Sequence, residues 1–200
     1  MSPETNLILR LATPADGAAC AAVYRPYVEG SPISFERTPP DAEEMGRRIS
    51  RVMERTPWLV AEVDGVVRGF AYGMRHRERA AYDWTVETTV YVDEAFPRHG
   101  IGQACMRALL EILRMQGFHL VVAGVTFPNV SSVALHTALG FRSIGIYPAI
   151  GYKDGRWYDV GWFGLELGPR EGNPSPVRPI GDLAGTPELE RVLAPGSTRP

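Results

Sequence analysis

The sequence has little cysteine, little excess charge and no long apolar run. Its two cysteines, Cys20 and Cys105, form neither a paired metal-ligand spacing nor the even-numbered disulfide framework of a small secreted domain. A net charge of −2 gives no electrostatic support to a nucleic-acid partner. The longest apolar runs are strand-sized, and the N-terminus lacks the charged start and apolar core of a secretion signal. We therefore expect a cytoplasmic protein with reduced thiols and neither a membrane nor a nucleic-acid partner.

The last 32 residues contain no aromatic residue and no apolar periodicity. Seven of the 17 prolines of the chain fall in this segment. Such a composition is typical of segments that do not build a packed core of their own. We therefore divide the chain into a folded body, residues 1–168, and a proline- and glycine-rich tail, residues 169–200. The tail is expected to be disordered or draped on the surface of the body.

The body alternates strand-like and helix-like segments. The dipeptides Asp64-Gly65 and Asp154-Gly155 each lie between two strand-like runs, which predicts two hairpins. The full order is one strand, two helices, a hairpin, a strand, a helix, a strand, a helix and a last hairpin. Since this order contains one strand–helix–strand crossover, it predicts an α/β fold with a mixed, mostly antiparallel central sheet and helices on both faces. A doubly wound parallel sheet would need a crossover at every step.

The segment PRHGIGQ, which contains Gly100 and Gly102, joins a strand-like run to an amphipathic helix. A dinucleotide-binding turn would place a third glycine at the position of Cys105, and a nucleoside-triphosphate loop would need Gly-Lys-Ser/Thr, so neither applies. Two explanations stay open from these residues alone. The glycines serve a tight turn with positive φ, or they open a helix N-terminus whose N–H groups bind an anion such as phosphate.

The same segment resembles the pyrophosphate loop of the GNAT superfamily of acyl-CoA-dependent N-acetyltransferases, whose pattern is Gln/Arg-x-x-Gly-x-Gly/Ala. The later segment NVSSVALHTALGF resembles the second signature of that superfamily, an asparagine followed by a helix that ends in Gly-Phe. Together with PWLVAEVDG, AYDWTVETTVYV and GRWYDVGWFGLEL, these segments are similar to the phosphinothricin acetyltransferase family. The similarity covers residues 6–168, and it implies a GNAT fold for the whole body.

The resemblance implies that acetyl-CoA is the co-substrate and that no metal takes part. Loop amides would hold the pyrophosphate, and the edge of the preceding strand would bind the pantetheine arm, with an asparagine on the other side of the arm. The cofactor-binding positions are then Val90, Tyr91, Val92, Arg98, His99, Gly100, Ile101, Gly102, Gln103 and Asn129. Pro97 stands where the family usually has Gln or Arg. Because proline has no N–H to donate, we expect weaker cofactor binding from that departure.

Acetyl transfer to an amine needs a group that takes the ammonium proton and a proton for the departing thiolate. Alternation along the strand puts Glu87 on the same face as Thr89 and Tyr91. A single strand glutamate is most often solvated, but the resemblance makes Glu87 the general base. His136 stands where many members of the superfamily carry a tyrosine near the thioester sulphur. It either handles a proton there or is a buried histidine bonded to a backbone carbonyl.

The basic segment RHRERAAYD precedes the strand that carries Glu87. Charge runs are usually solvated, but the resemblance implies that basic residues here grip an anionic substrate through paired hydrogen bonds. His76 falls where a relative has tryptophan. The substrate-binding positions implied by the family are Phe35, Tyr72, Arg77, Arg79, Tyr82 and Thr89.

The sequence thus predicts direct acetyl transfer to the amino group of a small anionic amino acid analogue, in a ternary complex. Phosphinothricin, methionine sulfoximine and methionine sulfone are the substrates that the resemblance implies. The alternatives are another amine, such as a peptide N-terminus or a polyamine, and a module that binds acyl-CoA without turnover. The resemblance also implies a homodimer, with the aromatic residues of the last hairpin in its interface: Trp157, Tyr158, Trp162 and Phe163.

Overall fold

A single seven-stranded sheet organises the protein, with the strand order β1-β2-β3-β4-β5-β7-β6. The computed structural model describes residues 6–96 and 99–194. Neighbouring strands are antiparallel at every step except between β4 and β5, which are parallel. The predicted mixed, mostly antiparallel sheet is therefore confirmed. The strands are β1 Leu7–Leu11, β2 Trp58–Val63, β3 Val66–Arg75, β4 Thr85–Val92, β5 Leu120–Thr126, β6 Arg142–Lys153 and β7 Arg156–Glu166.

Helices cover both faces of this sheet, as predicted. On one face, α1 and α2 enclose a core cluster that includes the strand residues Trp58 and Phe70. On the other face, α3 packs its apolar side against strand residues such as Val86 and Val121. The helices are α1 Gly17–Glu29, α2 Ala42–Met53, α3 Ile101–Gln116, α4 Val130–Ala138 and α5 Pro187–Leu193. None of the helices within the described ranges is long and apolar enough to cross a lipid bilayer.

Local residues account for the hairpin turn between β2 and β3 and for the end of α3. Asp64 and Gly65 have φ values of 52° and 78°, the left-handed conformation that a two-residue hairpin turn requires. Gly117 ends α3 in the same region, at φ 93°, and its N–H bonds the carbonyls of Arg114 and Leu113. Because these signals are local, the sequence pattern reveals them directly.

The parallel strands β4 and β5 separate part-way along their length. Their paired residues end at Glu87 and Val122, after which β5 continues to Thr126 paired with β7. β4 continues to Val92 paired with β3 on its other side. The described strands therefore form a wedge-shaped gap that opens after Glu87, and the N-terminus of α3 follows soon after β4 in the chain.

The described part of the tail, residues 169–194, packs against the body at several points. It forms a 3-10 turn at Ile180–Leu183 and the helix α5, and it buries Ile180, Leu183 and Leu189 to exposures of 1–3%. Aliphatic side chains provide part of the contact, and in α5 they recur at helical spacing, with Val192 and Leu193 packed on the core beside Leu189.

The last hairpin places β6 at the edge of the sheet with its apolar side chains exposed. Ile144, Ile146 and Ile150 are 61%, 55% and 57% exposed. Among the aromatic residues expected at a dimer interface, Trp157 is 66% exposed, but Phe163 is 6% exposed and belongs to the core. Phe163 is therefore unavailable to a partner, because its side chain points inward from β7.

Candidate active site

The first turn of α3 presents backbone N–H groups without a side-chain cap. Ala104 N–H donates to the carbonyl of Gly100 at 2.9 Å, so the N–H groups of Ile101, Gly102 and Gln103 precede the first helical bond. The first turn contains no acidic residue that would repel an anion. These donors and the helix dipole suit a diphosphate group.

The two glycines of this turn serve different purposes. Gly100 has φ 72°, and a side chain there would meet no atom within 4 Å, so its backbone conformation explains the glycine. At Gly102, an added Cβ would lie 3.3 Å from Val92 Cγ2 and 3.7 Å from Leu135 Cδ2. Gly102 therefore lets α3 pack closely on β4 and α4, while its N–H stays in the first turn.

The proposed pantetheine edge lies along the free side of β4. Val90 and Val92 pack against the core cluster beneath α3. Tyr91 points to the opposite face, where its ring lies 4.7 Å from Tyr24 and 4.9 Å from Tyr27. The Tyr27 hydroxyl donates to the Val92 carbonyl at 2.5 Å. A cofactor could therefore use the backbone of this edge but not the Tyr91 side chain.

The predicted cofactor loop is described only in part. Arg98 lies outside the described residues, as does Pro97, so both expectations for them stay predictions. The ring of His99 lies 4.3 Å from that of Phe96. The gap, the turn and the first-turn N–H groups together fit an elongated molecule with a diphosphate at one end.

Glu87 lies at the narrow end of the gap and pairs with His76, for which the sequence predicted a pocket position but no catalytic role. Its Oε2 is 3.3 Å from His76 Nδ1. The two side chains are 26% and 16% exposed, respectively. The His76 ring stands edge-on to Tyr82 at 6.0 Å and to Trp162 at 5.9 Å. This arrangement brings together a carboxylate, an imidazole and two aromatic rings that together can orient a proton transfer.

His136 is buried in α4 with its Nδ1 2.8 Å from the Ser132 carbonyl, so Nδ1 carries a proton and donates it there. Burial lowers the pKa of His136. Its ring packs edge-on against Phe141 at 5.0 Å. The neutral ring therefore keeps Nε2 as its proton-accepting atom. The contact to a carbonyl is the one that a purely structural histidine would also make.

Asn129 caps α4 with part of its side chain. Its Oδ1 accepts hydrogen bonds from Ser132 N–H and from the Ser131 hydroxyl, each at 3.1 Å. Capping of this kind stabilises the start of a helix and fixes the asparagine rotamer. The side-chain NH₂ group then remains as the donor that could face a ligand.

Residues 76–83, which we name the arginine loop, connect β3 to β4. Arg77 and Arg79 are exposed within it. Arg75 shapes the loop by donating to the carbonyls of Arg77 and Glu78, at 2.9 and 2.6 Å. The two exposed guanidinium groups are thus carried on a loop whose backbone is held by a third arginine.

The remaining predicted substrate residues include Tyr72, Thr89 and Phe35, which make different contacts. Tyr72 lies directly opposite Thr89 across β3 and β4, and its ring stacks on Trp58 at 4.1 Å. Burial raises the pKa of Tyr72 to about 12, so its hydroxyl stays protonated. Phe35 packs instead on the last hairpin, against Gly151 and, at 6.4 Å, Tyr158.

Sequence reasoning missed His76 as a partner of Glu87 and Trp162 as a wall of the site. The indole N–H of Trp162 is buried, and no hydrogen-bond acceptor lies near it in the described part of the chain. His76 follows Met74, the residue paired with Glu87, by two positions. Only the register between β3 and β4 reveals that relation. Within the described ranges, no group of three or more His, Cys, Asp or Glu is arranged to hold a metal ion.

Comparisons with known proteins identify the class to which this fold and site belong. The model of the acetyltransferase (GNAT) domain matches residues 9–162. The chain therefore belongs to the GNAT family, and it is an acyltransferase of the class that uses acetyl-CoA as acetyl donor. The predicted family and enzyme class are confirmed.

Within this family, the chain is similar to acetyltransferases named for small amino acid analogues. The chain is 44% identical over 181 residues to phosphinothricin N-acetyltransferase of Streptomyces viridochromogenes, covering 90% of this chain and 98% of that enzyme. It is 33% identical to the L-methionine sulfoximine/L-methionine sulfone acetyltransferase of Salmonella typhimurium, covering 80% of this chain and 95% of the other. The structure of a phosphinothricin acetyltransferase from Sinorhizobium meliloti in complex with acetyl-CoA is also similar. Its TM-score is 0.81 at 34% identity, covering 85% of this chain and 94% of that one.

Proposed function

We propose that this protein transfers the acetyl group of acetyl-CoA to the amino group of a small anionic amino acid analogue. Phosphinothricin, methionine sulfoximine and methionine sulfone are the candidate substrates, as the named relatives suggest. Acetyl-CoA would lie in the gap between β4 and β5, with its diphosphate at the first turn of α3. The reaction would be direct transfer within a ternary complex.

The observation that carries this proposal is the position of Glu87. It is the last residue of β4 that pairs with β5, so its carboxylate lies where the gap begins. Exposed Arg77 and Arg79 lie on the arginine loop, whose first residue, His76, contacts that carboxylate. A guanidinium group can bind a carboxylate or phosphinate through two hydrogen bonds. The site therefore combines an anion-binding loop with a base beside the expected thioester.

In the proposed reaction, Glu87 accepts a proton from the substrate ammonium group, directly or through water. The neutral amine then attacks the thioester carbonyl carbon, a nitrogen–carbon bond forms and the carbon–sulphur bond breaks. The second proton that the nitrogen loses on becoming an amide goes to the departing thiolate. His76 would orient the Glu87 carboxylate by donating Nδ1–H to it. His136 would accept and pass on a proton through Nε2. It would not serve as a permanently protonated acid, because burial lowers its pKa and favours the neutral ring.

The test is release of free coenzyme A thiol from acetyl-CoA in the presence of single amines. The panel contains the three analogues named above, ordinary amino acids, a peptide with a free N-terminus, and spermidine. We expect turnover confined to the anionic analogues. Turnover of the peptide or of spermidine alone would move the protein to another substrate class, and acetyl-CoA binding without turnover of any amine would make it a binding module.

We also propose that two copies associate through the exposed face of β6. A long edge strand with exposed apolar side chains is a surface that proteins usually cover. Ile144, Ile146 and Ile150 supply that surface, and Trp157 extends it. Sedimentation should give a dimer for the parent protein and a monomer for Ile146→Lys. A monomeric parent would end this part of the proposal, and a cytoplasmic location stays a prediction for cell fractionation to test.

A further inference from the structure

The tail, which lies beyond the family match ending at residue 162, reaches the body next to the arginine loop. The Trp84 indole N–H donates to the Ser175 carbonyl at 2.8 Å. Trp84 lies between the arginine loop and β4 in the chain. Its carbonyl accepts a hydrogen bond from His119 N–H at 2.9 Å, just before β5. The tail is therefore bonded to the residue at which the loop ends.

A second set of contacts centres on the carbonyl of Arg55. It accepts the backbone N–H of Ile180 in the tail at 3.0 Å and the side-chain amide of Gln116 at 2.7 Å. The same Gln116 amide donates to the Arg178 carbonyl, also at 2.7 Å. Gln116 is 1% exposed and Ile180 is 1% exposed, so this junction excludes water. It holds the backbone of Arg55 at a defined place.

The side chain of Arg55 carries the contact on to the arginine loop. Its Nη2 donates to the Asp83 carbonyl at 2.9 Å and lies 3.5 Å from the Asp83 carboxylate. The same carboxylate accepts from Arg75 Nη2 at 2.9 Å. Arg75 in turn bonds the carbonyls of Arg77 and Glu78. The described contacts therefore form a continuous path from Ile180 in the tail to the carbonyls of Arg77 and Glu78 in the arginine loop.

Isolated ion pairs on a surface contribute little, and Arg55, Asp83 and Arg75 are each 31–43% exposed. Three features make this network different from such pairs. It includes hydrogen bonds to backbone carbonyls of the loop itself, it joins two arginines to one carboxylate, and its inner end is buried. Networks of this kind restrict backbone conformation more than single pairs do.

We propose that the tail, acting through Arg55 and Asp83, holds the arginine loop in the conformation that binds the anionic substrate. Arg55 and Asp83 are then positioning residues that do not touch the substrate. This inference rests on the proposed function for its consequence in catalysis. The contact between tail and loop can be tested without any substrate.

The cofactor end of the site should be unaffected by loss of this contact. Gln116 is the last residue of α3, whereas the diphosphate-binding turn is at the first residue, Ile101. A helix of 16 residues separates the two by about 24 Å at roughly 1.5 Å per residue. Affinity for acetyl-CoA is therefore an internal control for general damage to the fold.

The first experiment measures hydrogen exchange, by mass spectrometry, of peptides that cover residues 76–83. This segment includes the bonded amides of Tyr82 and Asp83, which report on loop order. The variant Ile180→Ala removes a tail contact beside Arg55. Its matched control, Leu189→Ala, removes a similarly buried aliphatic side chain from α5, in the more distal part of the tail. Arg55→Met breaks the path while keeping the backbone carbonyl, and it serves if Ile180→Ala fails to fold.

We expect exchange in 76–83 to rise about fivefold or more in Arg55→Met, the effect of losing one net hydrogen bond. Exchange should also rise in Ile180→Ala, which keeps the backbone N–H but loses the buried side chain that seats it beside Arg55. Leu189→Ala should stay at the parent rate. An unchanged rate in the folded variants would overturn the proposal. An equal rise in Leu189→Ala would also overturn it, because it would mean that tail packing only stabilises the protein as a whole.

The second experiment compares the KM for the amine with the Kd for acetyl-CoA. Ile180→Ala and Arg55→Met should raise the KM for the amine about fivefold, with the acetyl-CoA Kd from calorimetry unchanged. Faster loop exchange without a change in the amine KM would refute the link to substrate binding. If the parent protein acetylates no amine on the panel, the proposed function fails, and the exchange result still decides whether the tail orders the loop.

Discussion

The two ends of the candidate site are built in different ways. The cofactor end is made of backbone groups on buried supports: Ile101 is 2% exposed, and Gly102 allows close contact between α3 and β4. The proposed substrate end is the exposed arginine loop, which accepts hydrogen bonds from Arg75. Buried packing tolerates little change, whereas a bonded surface loop can change residue by residue. We therefore expect substitutions in the arginine loop to change which substrate is bound while leaving the affinity for acetyl-CoA unchanged.

The largest expected effect is at Glu87, where the two ends meet. Glu87→Gln keeps the size of the side chain and its contact with His76 but removes the base. We expect the turnover number to fall about 10²- to 10⁴-fold, the usual contribution of a general base. Steady-state rates at saturating amine measure the loss, and calorimetry should give an unchanged acetyl-CoA Kd. Comparable turnover in the variant would remove Glu87 from the mechanism.

Next in size is the effect of the two exposed arginines of the arginine loop. Arg77→Ala or Arg79→Ala should raise the KM for an anionic amine about tenfold or more, because a lost charge-assisted hydrogen bond contributes at least about 1.5 kcal/mol. The acetyl-CoA Kd should not change. Arg51→Ala, which changes an exposed arginine on α2, is the matched control. If all three variants keep the parent KM, the loop does not bind the substrate.

A smaller effect, on the free energy of unfolding, is expected from the positive φ of Gly100 at the cofactor end. Gly100→Ala forces an L-residue to adopt φ 72°, which should lower the free energy of unfolding by about 1–2 kcal/mol. Gly145→Ala is the control, because a side chain there also meets open space but needs no positive φ. Urea denaturation compares the two. Equal stabilities would show that the turn relaxes without a glycine.

The smallest expected effect concerns the buried histidine of α4. Since burial lowers the pKa of His136 in the folded state, the unfolded chain binds a proton more readily. Acidification through about pH 6.5, the ordinary histidine pKa, and down to the lower folded value therefore favours unfolding. The stability contributed by the neutral ring is present above pH 6.5 and is lost below it.

Urea denaturation at pH 7.5 and pH 5.5 measures this change. The parent should lose more stability between the two values than His136→Gln, which has no titrating ring at this position. The other histidines are common to both proteins and cancel in the comparison. The same loss in both proteins would assign the pH dependence to other groups.

Much of the fold followed from the sequence because its signals are local. Apolar periodicity, the Asp64-Gly65 turn and the glycine turn before α3 predicted the order of strands and helices, and all of these elements are present. The tail was harder, because Ile180 and Leu183 are buried from a short 3-10 turn against a surface formed by other elements. The helical spacing of Leu189, Val192 and Leu193 spans only the seven residues of α5, which is a short sequence signal.

The candidate site divides along the same line. By itself, the sequence determined the sheet with one parallel pair and the glycine turn at a helix N-terminus, since each depends on residues close together in the chain. The family followed from motifs spread over residues 6–168, and Glu87 as general base stays a prediction that this resemblance implies. Only the tertiary structure decided that His76 meets Glu87, that Phe163 is buried, and that the tail reaches the arginine loop through Arg55. These contacts join residues that are 11 to more than 100 positions apart. Strand register and packing bring them together, and neither can be read from a local pattern.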